Sequence, residues 1–203
     1  MVRNAQTRGL QPKRGHSLCT ALLVLDVMSD FAFEDGPAVR RALVARCEGL
    51  TRLIGRARRN GVPVIYVNDN AGPWRSDAPA LIRQFVRRLQ GDARCLAALA
   101  PAANDLIVLK PRHSAFYATP LDVLLQHLSV NHLVLAGVST ESCVWMTACD
   151  AHIRGFGLIV PLDAVAGVSR AAVAATITGL RRVLQVRTPA RASRLRFAHG
   201  RLA

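Results

Sequence analysis

Short apolar runs, each unbroken and each closed by a polar residue or a glycine, constrain this chain most. They are Ala21–Leu25 before Asp26, Val62–Val67 before Asn68, Leu106–Leu109 before Lys110, Leu133–Ala136 before Gly137, and Leu158–Pro161 shortly before Asp163. A run of strand length without polar alternation fits a strand covered on both faces, as in a parallel sheet. Helix-patterned segments lie between the runs. One opens at Pro37, carries Val39, Leu43, Leu50, Leu53, Ile54 and Ala57, and stops at Asn60 and Gly61. Others span Pro79 to Gln90, Pro120 to Leu128 behind a Thr119 cap, Thr140 to Arg154, and Ser169 to about Arg182. This alternation predicts an α/β fold: a doubly wound, mostly parallel sheet of five or six strands with helices on both faces. Leu184–Val186 is the candidate sixth strand.

With 203 residues, 51% of them hydrophobic and 20% charged, one globular domain with a full core is expected. The predicted organisation is a flexible basic leader over 1–18, the domain over 19–187 and a basic tail over 188–203 that has little to pack. No apolar run approaches the length of a membrane span, and Leu22–Leu25 is too short for a signal-peptide core. Five cysteines without CxxC spacing suggest neither a disulfide framework nor a zinc site, and reduced thiols fit a cytoplasmic address. The net charge of +14 is almost entirely arginine, and the only lysines are Lys13 and Lys110. Such an excess permits weak non-specific attraction to nucleic acid, but no nucleic-acid motif or interleaved aromatics accompany it.

Ligands of open parallel sheets bind beyond the carboxyl ends of the strands. Asp26 follows the first strand and Lys110 the third. Cys143 stands in the first helical turn after the fourth, where free N–H groups and the helix dipole favour a thiolate. An aspartate to take the thiol proton and a lysine to hold both charges make a nucleophilic cysteine site. Lysine, scarce elsewhere in this chain, is the compact charge that a tight site accommodates. Each residue has a plainer role open to it: strand-end cap, surface charge and buried small thiol.

On these residues the chain resembles the isochorismatase-like cysteine hydrolase superfamily. The resemblance spans about residues 20–186. It is carried by Leu22–Asp26 with Asp30 and Phe31; by Lys110 with Ser114, Ala115 and Phe116; by Thr119, Leu121 and Asp122; and by the block from Gly137, Val138 and Thr140 through Cys143, Thr147, Asp150 and Gly155 to Asp163. It implies a Rossmann-like three-layer sandwich and a catalytic triad of Asp26, Lys110 and Cys143. It also implies a cis peptide at Val138–Ser139 and an oxyanion hole from the Ser139 and Cys143 amides. The implied reaction is hydrolysis of a C–N bond in a small amide or ureido/carbamoyl compound, with no cofactor, in a dimer or tetramer. Isochorismatases proper do not need the cysteine, so Cys143 argues for the amidase side. Family nicotinamidases carry an Asp-x-His metal motif after the second strand; here Asp69 is followed by Ala71 in the histidine's place, and no metal is expected. Candidate pocket residues are Phe31, Asn68, Trp74, His113 and Phe116, with core packing as the competing role for Phe31 and Phe116. The alternative function is a non-catalytic binding protein on this fold, contacting nucleic acid or an acidic partner through its basic ends.

Overall fold

The computed structural model describes residues 19–70, 77–88 and 93–202. Five strands, β1 (Thr20–Leu25), β2 (Val64–Asp69), β3 (Leu106–Lys110), β4 (His132–Gly137) and β5 (Gly157–Ile159), form one parallel sheet in the order β3-β2-β1-β4-β5. Every residue of β1 is buried. Within its unbroken apolar run the side chains alternate between two cores. Leu22 and Val24 join Tyr66, Val134 and Ala136 on one face, while Ala21, Leu23 and Leu25 join Ile65 and Leu135 on the other.

Helices cover both faces. On the first, α1 (Gly36–Val44) and α2 (Cys47–Arg59) bring Val39, Leu43, Leu50, Leu53 and Ile54 onto the sheet. On the second, α5 (Leu121–His127), α6 (Trp145–Ile153) and α7 (Arg170–Arg182) bring Leu121, Leu125, Ala148, Ala151 and Leu180. The remaining helices are α3 (Ala78–Arg88) and α4 (Ala93–Ala97). Ser169 caps α7 by accepting a hydrogen bond from the Ala172 amide at 3.1 Å. The doubly wound parallel sheet is the one the sequence pattern predicts. The strand order reverses between β1 and β4, so the crevice opens above the carboxyl ends of these two central strands.

Four details differ from the sequence expectations. The single helix expected from Pro37 to Ala57 is broken into α1 and α2 at Ala45 and Arg46. Neither residue is a helix breaker and the apolar spacing runs through, so the sequence carries no mark of the break. Leu184–Val186 is not a strand: Gln185 adopts a left-handed φ of 53°, and the chain meets β5 only through an Ile159–Arg187 bridge.

Cys47 and Cys95 form a disulfide, and Cys19, Cys143 and Cys149 stay outside it. Finally, the segment after Thr188 packs. A 3-10 turn (Ala192–Arg194) leads into a hairpin of β6 (Phe197–Ala198) and β7 (Arg201–Leu202), and Ala192, Leu195 and Leu202 are buried. Asp163 accepts a hydrogen bond from the Ala192 amide at 2.6 Å, and Arg56 donates to the carbonyls of Ala192 and Leu195. The apolar anchors are single residues among arginines, so composition hides them. The leader over 1–18 lies outside the described residues. No helix among the described residues is long and apolar enough to cross a membrane.

Candidate active site

Three strand ends supply the centre of the crevice. Asp26 leaves β1 with a left-handed φ of 49°, its amide bonded to the Val67 carbonyl at 3.0 Å. Its Oδ1 accepts a hydrogen bond from the Asp69 amide at 2.9 Å. Lys110 closes β3, opposite Asp69 in the sheet register and two strands from β1, a span of about 10 Å. Its long stem runs under cover across most of that span, and the Asp26 side chain meets it from the other side. With 1% of its surface exposed, its Nζ lies 2.8 Å from Asp26 Oδ2 and 3.6 Å from Cys143 Sγ. A shorter cation at this position would fall short of both partners.

The turn carrying Cys143 is held on two sides. Gly137, at φ 110°, ends β4 so close to β1 that a Cβ there would stand 2.1 Å from the Leu25 carbonyl oxygen. Only glycine fits that approach and that backbone. The next amide, Val138, bonds the same carbonyl at 2.9 Å, and the Val138–Ser139 peptide is cis. A π-helical turn, Thr140–Val144, then leads into α6, with the Val144 amide reaching the Ser139 carbonyl at 3.1 Å. Such turns recur at functional sites. On the far side, the amide and hydroxyl of Thr140 both bond the Ala166 carbonyl at 2.9 Å. Glu141 accepts from the Val168 amide at 2.7 Å. Gly167 makes room for this carboxylate, since a Cβ there would meet Glu141 Oε2 at 1.9 Å.

The electrostatics of the three central groups follow from burial and proximity. Burial and the neighbouring Asp26 charge push the Cys143 thiol up to about 12, with Lys110 pulling the other way. The resting group is therefore a thiol, kept protonated by burial and by the negative charge of Asp26 beside it. Burial alone would lower the Lys110 pKa, but the Asp26 carboxylate, with Cys143 adding to it once the sulfur is ionised, outweighs it, and the net direction is upward. The lysine is an ammonium at neutral pH.

A cleft of about 360 Å³ stands over this centre, and Ser139, Ser142 and Val138 line it beside Cys143. Phe31 and Asn68 line it too. Asn68 is also a brace: its amide group donates to the Met28 carbonyl at 2.8 Å and accepts from the Met28 amide at 3.1 Å, fixing the segment after Asp26. His113 is exposed at the cleft wall, its Nδ1 3.2 Å from Ser142 Oγ and 3.8 Å from Cys143 Sγ. Asp69 reaches the lining as well. Among the described residues there is no His/Cys/Asp/Glu cluster suited to a metal ion. Trp74 lies outside the described residues.

Phe116 does not line the cleft. It packs into the core against Phe156, ring centres 5.9 Å apart, with the Arg154 guanidinium 4.7 Å from its ring centre. It is held there because its loop is tied down. The Ala115 amide donates to Thr147 Oγ1 at 3.0 Å, Ser114 donates to Asp150, and Thr119 donates to the Ala115 carbonyl at 2.6 Å. The first two bonds fasten the segment after Lys110 to α6, the helix that follows Cys143, and the third closes the loop on itself.

The sequence reading missed part of the cleft wall, made by Phe33, Val39, Leu81, Gln84 and Phe85. Leu81 and Phe85 stand one helical turn apart on α3, a spacing that marks an apolar face without saying whether it meets core or ligand.

Comparison with known proteins agrees with this architecture. The isochorismatase domain family matches residues 20–191. An uncharacterized isochorismatase family protein of Bacillus subtilis is 33% identical over 149 residues, covering 73% of this chain and 81% of that protein. The maleamate amidohydrolase of Pseudomonas putida is 33% identical over 153 residues, 71% of each chain. The crystal structure of N-carbamoylsarcosine amidase from Thermoplasma acidophilum superposes with a TM-score of 0.66 at 28% identity, covering 87% of this chain and 98% of that one. A match over nearly the whole sheet-and-helix unit, in sequence and in structure, places the chain in the isochorismatase family, among relatives that are amidohydrolases.

Proposed function

We propose that this protein hydrolyses the C–N bond of a small amide or ureido/carbamoyl compound through a thioester on Cys143. The observation that carries the reading is the Lys110 ammonium, 2.8 Å from the Asp26 carboxylate and 3.6 Å from the Cys143 sulfur on the floor of an open cleft. Because the resting thiol is protonated, the nucleophile is generated as it attacks. Asp26 takes the proton, the sulfur bonds the carbonyl carbon, and Lys110 holds the charge passing between them. The oxyanion settles on the Ser139 and Cys143 amides at the start of the π-helical turn. Asp26 returns its proton to the nitrogen as the C–N bond breaks, and the amine or ammonia departs. Water then gives a proton to Asp26 and attacks the thioester. The C–S bond breaks, the acid leaves, and the sulfur recovers its proton.

The reaction is written on these residues alone, since Ala71 replaces the histidine of the nicotinamidase metal motif. The relatives named for maleamate and N-carbamoylsarcosine support an amide or carbamoyl carbonyl as the target. The test is a panel of small amides, ureido acids and carbamoyl compounds assayed for ammonia release with wild type and Cys143→Ala. Release by the wild type and its loss in the variant support the reading, whereas full activity in Cys143→Ala refutes it.

A further inference from the structure

An apolar part of the cleft wall is made by Met28, Phe31, Phe33, Val39, Leu81 and Phe85, contributed by the segment after β1, by α1 and by α3, and most of it is the edge of the hydrophobic core. Charge in the described lining is distributed unevenly. Its lysine, Lys110, is already committed to Asp26 and Cys143. Its histidine, His113, turns Nδ1 toward Ser142 and the sulfur, on the reacting side. The other charged groups in the lining, Asp30 and Asp69, are acidic. No arginine stands in the described lining, although arginine dominates the charge of the whole chain. Maleamate and N-carbamoylsarcosine, the molecules named for two relatives, both carry a carboxylate. A carboxylate laid against this wall would be desolvated without a cationic partner, which is costly.

We infer that the substrate is an uncharged amide whose remaining part is apolar, an alkyl or aryl group seated on the Phe31–Phe85 wall, and that anionic amides are rejected. The inference rests on the amidohydrolase reading above and narrows it to a substrate class. The wall favours each added methylene by about fourfold until the space is filled.

The test uses a matched pair that differs only at the far end: hexanamide and the monoamide of adipic acid, in which a carboxylate replaces the terminal methyl. Two readouts are taken, ammonia release and protection of Cys143 from iodoacetamide. Hexanamide is expected to exceed the anionic amide by roughly 100-fold or more in kcat/KM, and to be the better protector. Gln84→Arg, which sets a cation on the α3 wall, should shrink that ratio at least tenfold. If neither amide is hydrolysed but hexanamide alone protects Cys143, the amidohydrolase reading falls while the charge preference stands. Equal or better use of the anionic amide, by either readout, overturns the inference. So does failure of both amides to protect. An anionic preference that vanishes in Arg75→Ala also overturns it, by assigning the carboxylate to a loop outside the described residues.

Discussion

Replacing Lys110 with methionine keeps most of the apolar stem of the side chain, one atom shorter, and removes its charge and its N–H donors. Two consequences follow from the geometry. At 3.6 Å from the sulfur, and with an effective dielectric constant of about 20, the ammonium favours a thiolate by about 4–5 kcal/mol. Without it, attack by Cys143 should slow by roughly three orders of magnitude. The fold also suffers, because the Asp26 carboxylate loses its partner at 2.8 Å. Removing one member of a buried pair costs about 3–5 kcal/mol.

The two effects separate in the double variant Lys110→Met/Asp26→Asn. It removes the orphaned charge, so urea denaturation should show much of the lost stability restored, while turnover and alkylation of Cys143 stay low. The assay is the rate of iodoacetamide modification of Cys143 at fixed pH beside kcat/KM on an accepted amide. If Lys110→Met stays within tenfold of wild type in both rates, the lysine is not coupled to the sulfur and the reasoning is wrong.

Three further outcomes are expected. The Cys143 thiol stands above its ordinary value of 9.0, at about 12, so the stability it contributes is complete below pH 9 and lost as pH rises toward 12. That loss, about 4 kcal/mol in all, should be absent from the denaturation profile of Cys143→Ala, and identical alkaline profiles would contradict it. Asn68→Leu strands the Met28 amide and carbonyl and should cost about 2–4 kcal/mol in urea denaturation; kcat should fall as well, because the displaced segment directly follows Asp26. Gly137→Ala drives a methyl group into the Leu25 carbonyl in a left-handed backbone and should cost about 3 kcal/mol or more, seen as a lowered Tm. An unchanged Tm would mean that β1 and β4 do not approach so closely.

The central strands were readable from sequence because burial on both faces leaves an apolar run unbroken, and because the polar residue ending each run is where an α/β sheet places its site. Asp26, Lys110 and Cys143 stood out for that reason, and lysine scarcity separated Lys110 from an ordinary surface cation. What was not readable depended on contacts distant in sequence. Phe116 and Phe31 are both aromatic residues near a strand end. Phe116 turns away from the cleft because Ser114 and Ala115 tie its loop to α6, whereas Phe31, equally buried in the core, also lines the cleft. Leu81 and Phe85 have the spacing of a core-facing helix, and only their position over the crevice makes them a cleft wall. In the C-terminal segment, Leu195 and Leu202 are single apolar residues, and the Arg56 and Asp163 bonds that dock their neighbours come from more than 25 positions away.

The proposed reaction passes through a covalent acyl group on Cys143. Its most direct measurement is rapid-quench peptide mass spectrometry of the enzyme during turnover of its best amide, with Cys143→Ala as the control. The prediction is an acyl adduct on the peptide that holds Cys143, formed and lost at rates compatible with turnover, and no turnover in the variant. An unmodified Cys143 throughout turnover, together with a Cys143→Ala enzyme that works at the wild-type rate, would contradict it.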